Sequence, residues 1–266
     1  MPDSLLDVQD LRVVFEGTHR DITAVDGVSF TIAPAETLGL VGESGSGKSL
    51  TALSILRLLQ APGRIAGGRV IFEGRDLLTL PERDMRRIRG ARISLIFQEP
   101  TAALNPVMRI GDQIAEALAV HGRSGANRQA LELLRAVHLP NAERRARDYP
   151  HQLSGGMCQR VVIAIALACQ PALLIADEPT TALDVTIQAQ ILDLLRELRT
   201  RYDLALLLIS HDVGVIAEMA DRVAVMHRGV LVEQGTVRQI LRAPAHDYTK
   251  HLLAAIPGTN VGPSRP

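Results

Sequence analysis

The sequence predicts an α/β fold with a parallel sheet, an N-terminal antiparallel β part and an α-helical insert. Short, continuous apolar runs alternate with helical patterns along most of the chain, as expected of parallel strands that are buried on both faces. Polar helical segments between residues 110 and 149 interrupt this alternation. A glycine-rich loop, GESGSGKS at 42–49, lies between the apolar run TLGLV and an apolar helical pattern.

The first part of the chain is rich in β-structure. In order, we predict strands at 5–15, 24–33 and 37–41, a helix at 48–60, a strand at 68–74, a basic amphipathic segment at 81–89 and a strand at 93–97. A turn at Pro34-Ala35-Glu36 follows the second strand, because proline favours turns.

The second part changes from helices back to α/β alternation. We predict helices in IGDQIAEALAV, RQALELLRAV and ERRARDYP, then a helix at 154–169, a strand at 172–176, a helix at 186–200, a strand at 204–209 and two short strands that flank Arg228-Gly229. These elements indicate one domain at 1–257, with a core at 1–99 and 166–257 and a helical subdomain at about 100–165. Residues 258–266 are predicted to be a disordered tail.

Composition and charge exclude several classes of protein. The 266 residues include 29 basic and 29 acidic ones, so no global field recruits nucleic acid or anionic lipid. The N-terminus MPDSLLDVQD has acidic residues where a signal peptide has basic ones. The apolar region 161–176 is broken by Gln170-Pro171 and is too short to span a bilayer. We therefore expect the chain to stay in the cytoplasm.

The two cysteines indicate packing rather than chemistry. Cys158 and Cys169 are eleven residues apart on one predicted helix, which corresponds to about 16 Å. A disulfide requires Cα atoms within about 7 Å, and two thiols at this spacing do not form a metal site. We expect both to be core thiols.

The loop at 42–49, called the phosphate loop below, has the composition of an anion site. Glycines let the backbone approach a ligand closely, and a helix that starts near Lys48 offers its N–H groups to an anion. Lys48 then reaches the β- and γ-phosphates of a nucleoside triphosphate, and the Ser49 hydroxyl holds Mg²⁺. A flexible loop with an ordinary surface lysine is the alternative. The predicted nucleotide contacts are Gly42, Glu43, Ser44, Gly45, Ser46, Gly47, Lys48, Ser49 and Leu50.

Two carboxylates follow the apolar run in ALLIADEP at 172–179. Asp177 and Glu178 lie at the carboxyl end of this predicted strand, the edge at which α/β proteins bind ligands. Asp177 suits Mg²⁺ through its water shell, and Glu178 is placed to orient or deprotonate a water that attacks the γ-phosphate. The alternative is a solvated acidic turn before a helix.

The segment LSGGMCQR at 153–160, called the signature segment below, opens another helix with two glycines. Ser154 is a good N-cap, and Gly155 and Gly156 leave N–H groups exposed for an anion. Because one nucleotide has one triphosphate, we predict that this helix N-terminus serves the ATP of a second copy. Taken alone, the segment is equally an ordinary N-cap.

The order of the motifs is informative. Along the chain it runs GESGSGKS, Gln98 after a strand, LSGGM, LLIADEP, Ala182-Leu183-Asp184 and Ser210-His211-Asp212. This order resembles that of the ATP-binding subunits of ABC transporters, and the resemblance covers the chain from Leu5 to about Pro257.

The resemblance implies roles for four more residues. Gln98 would contact Mg²⁺ and sense the permease, and His211 would lie at the γ-phosphate. Asp184 would face the partner subunit. Phe15 would stack on adenine, with an ordinary place in the strand core as the alternative.

Further segments resemble one subfamily, the bacterial peptide and nickel importer ATPases. They are FQEPTAALNPVMRIGDQIAE, TTALDVTIQAQILDLL and AHDYTKHLLAAIP. Met157 stands where most ABC proteins have Gln, although this subfamily commonly has Met. Many peptide-importing members continue past the position of Pro257 into a cysteine-bearing tail that can hold an iron–sulfur cluster. No cysteine follows Cys169 here, which leaves nickel or metallophore import open.

The resemblance thus implies an ATPase that uses ATP and Mg²⁺ to energise import of di- or oligopeptides through a separate permease. The implied partners are a second ATPase subunit, identical or paralogous, two permease subunits and an extracytoplasmic solute-binding protein, with no nucleic acid. The implied location is the cytoplasmic face of the plasma (inner) membrane, with membrane contact only through the permease. The alternatives are a nickel or metallophore importer, a soluble ABC ATPase of DNA repair or translation, a P-loop kinase and an exporter.

Overall fold

The computed structural model describes residues 4–17, 20–181 and 183–254. The described residues divide into two compact units: the first unit comprises those of 1–78 and 208–266, and the second unit comprises those of 79–207.

The predicted core and helical subdomain have different boundaries from these two units. The core at 1–99 and 166–257 and the helical subdomain at about 100–165 stay predictions. The predicted tail at 258–266 lies outside the described residues, as does Ala182 of the predicted Ala182-Leu183-Asp184 motif.

The described residues form the following elements. The strands are β1 (Leu6–Phe15), β2 (Ile22–Ile32), β3 (Thr37–Val41), β4 (Gly63–Phe72), β5 (Arg75–Asp76), β6 (Ile93–Ile96), β7 (Leu173–Asp177), β8 (Ala205–Ser210), β9 (Arg222–His227) and β10 (Val230–Thr236). The helices are α1 (Lys48–Ile55), α2 (Glu82–Ile88), α3 (Pro100–Ala103), α4 (Ile110–Val120), α5 (Ala126–Ala136), α6 (Ala142–Arg145), α7 (Gly155–Leu167), α8 (Val185–Tyr202), α9 (Val213–Met219), α10 (Val237–Arg242) and α11 (Asp247–Ala254), with a 3₁₀-helix at Pro150–Gln152.

The first unit contains an antiparallel sheet in the order β2-β1-β4-β5. Strand β1 pairs with β2, where Phe15 lies opposite Ile22, and also with β4, where Phe15 lies opposite Gly63. Inward-facing side chains such as Leu11 and Val25 are fully buried. This sheet confirms the predicted antiparallel β part.

The phosphate loop follows a buried strand of the first unit. Strand β3 pairs in parallel with β9, and β9 pairs antiparallel with β10. All five residues of β3 are buried, as expected of a strand covered on both faces. Helix α1 begins at Lys48, so the loop joins a strand to a helix as predicted.

The second unit combines parallel strands with a group of helices. Strand β6 pairs in parallel with β7, and the first half of β8 starts beside β7, where Ala205 N–H donates to Ala172 O at 3.1 Å. Helices α4, α5 and α7 pack on one another. Their apolar faces bury Ile114, Leu134 and Ile163 completely, and such burial is the main term that stabilises a helical group.

Two predicted boundaries in the first unit are wrong. The helix predicted at 48–60 ends at Ile55, because Arg57 turns the chain with a φ of 53° and its guanidinium donates to Leu77 O at 3.2 Å. The strand predicted at 68–74 begins at Gly63, because β1 offers pairing partners along its whole length. Tertiary contacts outweigh local propensity in both places.

Two predictions for the second unit are wrong in part. The segment ERRARDYP is helical only up to Arg145, and Tyr149 is extended, with a ψ of 158°, because Pro150 follows it. Helix α7 ends at Leu167, so Cys169 lies beyond the helix that carries Cys158. Both thiols are buried, which confirms their prediction as core cysteines.

The sequence does not predict the helices α9, α10 and α11. They have 7, 6 and 8 residues, too few for an apolar period to be recognised. Across the described ranges, no helix combines the length and the apolar character that a membrane span requires.

Candidate nucleotide site

The phosphate loop requires glycine at two positions. A Cβ on Gly42 would lie 2.1 Å from the carbonyl oxygen of Met226, a backbone atom that cannot turn aside. Gly47 has a φ of 103°, and a Cβ there would lie 2.9 Å from Ala24 O. Only glycine adopts this backbone without strain or collision.

Lys48 lies inside the loop rather than on its surface. The residue is 5% exposed, and its Nζ donates to Gly42 O and Glu43 O at 2.8 Å each. Ser46 Oγ is a third neighbour at 3.4 Å. A buried ammonium group surrounded by loop backbone is the arrangement expected of a phosphate site. The alternative of an ordinary surface lysine therefore does not apply.

Helix α1 starts without a side-chain cap. Its N-cap residue is Gly47, which has no side chain to cap the helix. The loop is supported from the β9–β10 turn, where Gly229 N–H donates to Ser46 O at 3.0 Å. Ser49, in the first turn, is exposed. An uncapped helix start with an exposed hydroxyl suits an anion and its accompanying cation.

In the second unit, a polar cluster forms where β6 and β7 end. Glu178 follows β7 with a φ of 48°, a left-handed conformation that is uncommon outside glycine and is often retained at functional sites. Its Oε2 accepts hydrogen bonds from Gln98 Nε2 at 3.0 Å and from Thr181 Oγ1 at 2.8 Å. The structure thus brings together the predicted residues Gln98 and Glu178, with Asp177 half-buried at the end of β7.

Thr181 is a member of this cluster that sequence reasoning missed. A hydroxyl three residues after a carboxylate is a common local pattern, so the sequence offers no signal to select it.

The signature segment packs against the start of helix α8. Ser154 caps α7 by accepting the N–H of Met157 at 3.4 Å, and Asp184 caps α8 by accepting the N–H of Ile187 at 2.9 Å. A Cβ on Gly156 would lie 2.6 Å from Cγ2 of Ile187. Gly156 therefore permits the close approach of two helices, and the structure brings the predicted residues Ser154 and Asp184 to helix starts that share this contact.

Phe15 and His211 belong to the first unit. The ring of Phe15 lies against β4, since a Cβ on Gly63 would be 3.0 Å from its Cε1. His211 is exposed and directly follows β8. The next residue, Asp212, caps α9 by accepting the N–H of Gly214 at 2.8 Å. The nucleotide-binding roles of Phe15 and His211 stay predictions.

One contact of the phosphate loop is not predicted from the sequence. The N–H of Glu43 donates to the hydroxyl of Tyr248 at 3.1 Å. Tyr248 lies in α11, 205 residues further along the chain. The segment AHDYTKHLLAAIP resembles one subfamily, and nothing in its sequence indicates this contact.

A glycine-requiring loop with a buried lysine, placed between a parallel strand and a helix, defines a P-loop nucleotide-binding protein. Residues 25–181 match the family described as ABC transporter. The chain belongs to the ABC transporter family.

Two curated relatives are similar over nearly the whole chain. The probable peptide ABC transporter ATP-binding protein y4tR of Sinorhizobium fredii is 53% identical over 264 residues, which is 98% of this chain and 79% of the relative. The oligopeptide transport ATP-binding protein OppD of Salmonella typhimurium is 50% identical over 256 residues, which is 95% of this chain and 76% of the relative.

Solved structures agree with the predicted fold class. The dimeric structure of MJ0796, a bacterial ABC transporter cassette, has a TM-score of 0.78 and 28% identity and covers 88% of this chain and 99% of that chain. The structure of cbiO1 from Clostridium perfringens, part of the ABC transporter complex cbiONQ, has a TM-score of 0.75 at 24% identity and covers 90% of each chain. The fold is that of an ABC ATPase cassette.

Proposed function

We propose that this chain is an ATPase subunit that energises the import of peptides through a separate membrane permease. One observation carries the proposal: Lys48 is buried inside a loop that requires glycine and that joins β3 to α1. A loop of this kind binds the phosphates of a nucleoside triphosphate. Membership of the ABC transporter family supports a role in transport. The names of the relatives support peptides as the cargo.

The phosphate loop holds the triphosphate. Backbone N–H groups of the loop and of the start of α1 provide donors, whereas the N–H of Glu43 is bonded to Tyr248. The ammonium group of Lys48 neutralises phosphate charge, and the loop has no arginine to take its place. The adenine ring stacks on Phe15.

Mg²⁺ suits the residues assigned to it. Ser49, Gln98 and Asp177 would hold the ion with a hydroxyl, an amide and a carboxylate oxygen, and oxygen ligands are those that Mg²⁺ prefers. When bound, the ion neutralises charge that develops on the phosphate oxygens.

Glu178 is the base for hydrolysis. Its carboxylate orients the attacking water and accepts a proton as the new oxygen–phosphorus bond forms, while the bond to the ADP oxygen breaks. Gln98 and Thr181 donate hydrogen bonds to this carboxylate and so restrict its rotamers. His211, which follows β8, contacts the γ-phosphate and assists hydrolysis.

A second ATPase subunit completes each site. Its Ser154, Gly155 and Gly156 offer the start of α7 to the ATP of the first subunit, and its Asp184 faces that subunit. The dimeric state named for the MJ0796 cassette supports this arrangement. ATP closes the pair, and hydrolysis opens it.

The transporter supplies the remaining partners. The pair acts on two permease subunits at the cytoplasmic face of the inner membrane, and an extracytoplasmic solute-binding protein delivers the peptide. The names of the relatives favour peptides over nickel or a metallophore, and family membership favours a transporter over a DNA-repair or translation ATPase.

The test of this function is Glu178→Gln, which keeps the size of the side chain and removes its charge. A general base contributes about 10²–10⁴-fold to rate, so we expect ATP hydrolysis to fall by at least about 100-fold while the affinity for MgATP is retained. Glu132→Gln, which alters an exposed carboxylate paired with Arg128, is the matched control. Undiminished hydrolysis by Glu178→Gln would remove the base from the proposed mechanism.

A further inference from the structure

The contact between Tyr248 and the phosphate loop lies outside the roles assigned so far. The N–H of Glu43 donates to the Tyr248 hydroxyl at 3.1 Å. Glu43 itself is exposed, so its N–H could bond to water instead. The structure nevertheless directs it to a side chain of α11, which requires a physical reason.

The reason is the peptide group to which this N–H belongs. The carbonyl of Gly42 and the N–H of Glu43 are the two ends of one planar peptide unit. The carbonyl end accepts a hydrogen bond from Lys48 Nζ at 2.8 Å, and the N–H end donates to Tyr248. Rotation of this peptide plane would break both hydrogen bonds together. A peptide that is bonded at both ends is also polarised, so each bond strengthens the other.

Tyr248 is held firmly enough to serve as this anchor. Its ring packs against the imidazole of His227 with centroids 3.9 Å apart. The carboxylate of Glu233 accepts the N–H groups of Ala245 and His246 at 2.8 and 3.0 Å, which ties the start of α11 to β10. Burial raises the pKa of Tyr248, so the hydroxyl is neutral at physiological pH.

We propose that Tyr248 is a positioning residue for Lys48: its hydroxyl fixes the Gly42–Glu43 peptide, whose carbonyl in turn holds the lysine ammonium group. The proposal rests on the proposed role of Lys48 in binding the triphosphate. Tyr248 does not touch the nucleotide in this account, and its effect reaches the phosphates through Lys48.

The composition of the chain allows a direct measurement of this coupling. Lys48 and Lys250 are the only lysines in the sequence, so ¹⁵N-lysine labelling yields two side-chain signals, which Lys250→Arg assigns. Lys250 lies in α11 and is half-exposed, paired with Asp247 at 2.8 Å. Its signal reports on the helix, whereas the signal of Lys48 reports on the loop.

The experiment compares Tyr248→Phe with the wild type and with Tyr202→Phe, a matched control in α8. Tyr248→Phe keeps the ring and removes the hydroxyl that accepts the N–H of Glu43. Loss of one hydrogen bond corresponds to an affinity for MgATP about three- to tenfold weaker. We expect this loss together with a shift or broadening of the Lys48 signal and an unchanged Lys250 signal, and neither effect in Tyr202→Phe.

Two results would overturn the proposal. One is an unchanged Lys48 signal with wild-type affinity; the other is a change confined to Lys250, which would make Tyr248 an anchor of α11 alone. Lys48→Ala, measured in parallel, separates this outcome from failure of the proposed function. If Lys48→Ala loses ATP binding while Tyr248→Phe matches the wild type, only the positioning role of Tyr248 is wrong.

Discussion

The phosphate loop and the signature segment both place glycines before a helix, yet the glycines serve different purposes. In the phosphate loop, a Cβ on Gly42 would collide with a backbone carbonyl, that of Met226. In the signature segment, a Cβ on Gly156 would collide with a side chain, that of Ile187. The first obstacle belongs to the fold of the unit, whereas the second can be removed by one substitution.

The two helix starts differ in their caps as well. Helix α1 begins at Gly47 without a side-chain cap, whereas α7 begins at Ser154, whose hydroxyl accepts the N–H of Met157. Gly47 has no side chain that could accept an N–H of α1, whereas the Ser154 hydroxyl accepts one N–H of α7. This difference agrees with the two proposed roles. The phosphate loop binds the nucleotide of its own subunit, and the signature segment contacts nucleotide only in a dimer.

The largest effect is expected for Gly42→Ala. The added methyl group meets a carbonyl oxygen of β9 at 2.1 Å, so the loop must rearrange and the peptide that holds Lys48 must move. We expect the affinity for MgATP to fall by at least about 100-fold, measured by titration with a fluorescent ATP analogue. Gly122→Ala, at a φ of 69° with open space around it, is the control for backbone strain, and it should bind as the wild type does.

A smaller, more selective effect is expected for Gly156→Ala. The added methyl group displaces Ile187, and a β-branched side chain in a helix has one strongly preferred rotamer, so α7 and α8 must separate. Hydrolysis should fall by about tenfold or more, whereas ATP affinity measured on the monomer should remain that of the wild type. An equal loss of ATP affinity in the monomer would mean that the signature segment also affects nucleotide binding within its own subunit.

Restoring space at Gly156 should restore activity. In the double variant Gly156→Ala, Ile187→Ala, the colliding Cγ2 is absent and the nearest retained atom of residue 187 is its Cβ, at 3.8 Å from the new methyl group. We expect most of the lost hydrolysis to return, with Ile187→Ala alone as the reference. If the double variant is as slow as Gly156→Ala, the steric explanation is wrong.

The smallest effect is expected for Ser154→Ala, and the quantity measured is the stability of the folded chain. The capping hydrogen bond is long, at 3.4 Å, so its loss should cost about 0.5 kcal/mol in the free energy of unfolding, at the lower end for N-caps. Urea denaturation measures this cost. A loss of about 2 kcal/mol would show that Ser154 supports the fold more than its single contact indicates.

The sequence was sufficient where the structure depends on local pattern. The loop between β3 and α1 was predictable because strand, glycines and helix are contiguous. The proximity of Gln98 and Glu178 followed partly from their positions. Gln98 comes two residues after β6 and Glu178 directly after β7, and these two strands are parallel neighbours. The boundaries at Ile55 and Gly63 were not predictable, because pairing with β1 and the contact of Arg57 decide them.

The supporting residues of the candidate site could not be predicted from the sequence. Ile187 resembles any apolar residue on a helix, and only the approach of α7 makes its methyl group decisive. Tyr248 lies 205 residues from its partner in the phosphate loop. Such contacts depend on tertiary packing, which single-sequence periodicity does not encode.

The most direct test of the central claim is the affinity of Lys48→Ala for MgATP, beside Lys250→Ala. Lys250 is the only other lysine, so the pair removes the same side chain from the buried loop and from the surface of α11. Circular dichroism verifies that both variants are folded. Our account predicts that Lys48→Ala loses ATP binding by at least about 100-fold and that Lys250→Ala binds as the wild type does. Near-normal ATP binding by a folded Lys48→Ala would contradict the assignment of this loop as the phosphate site.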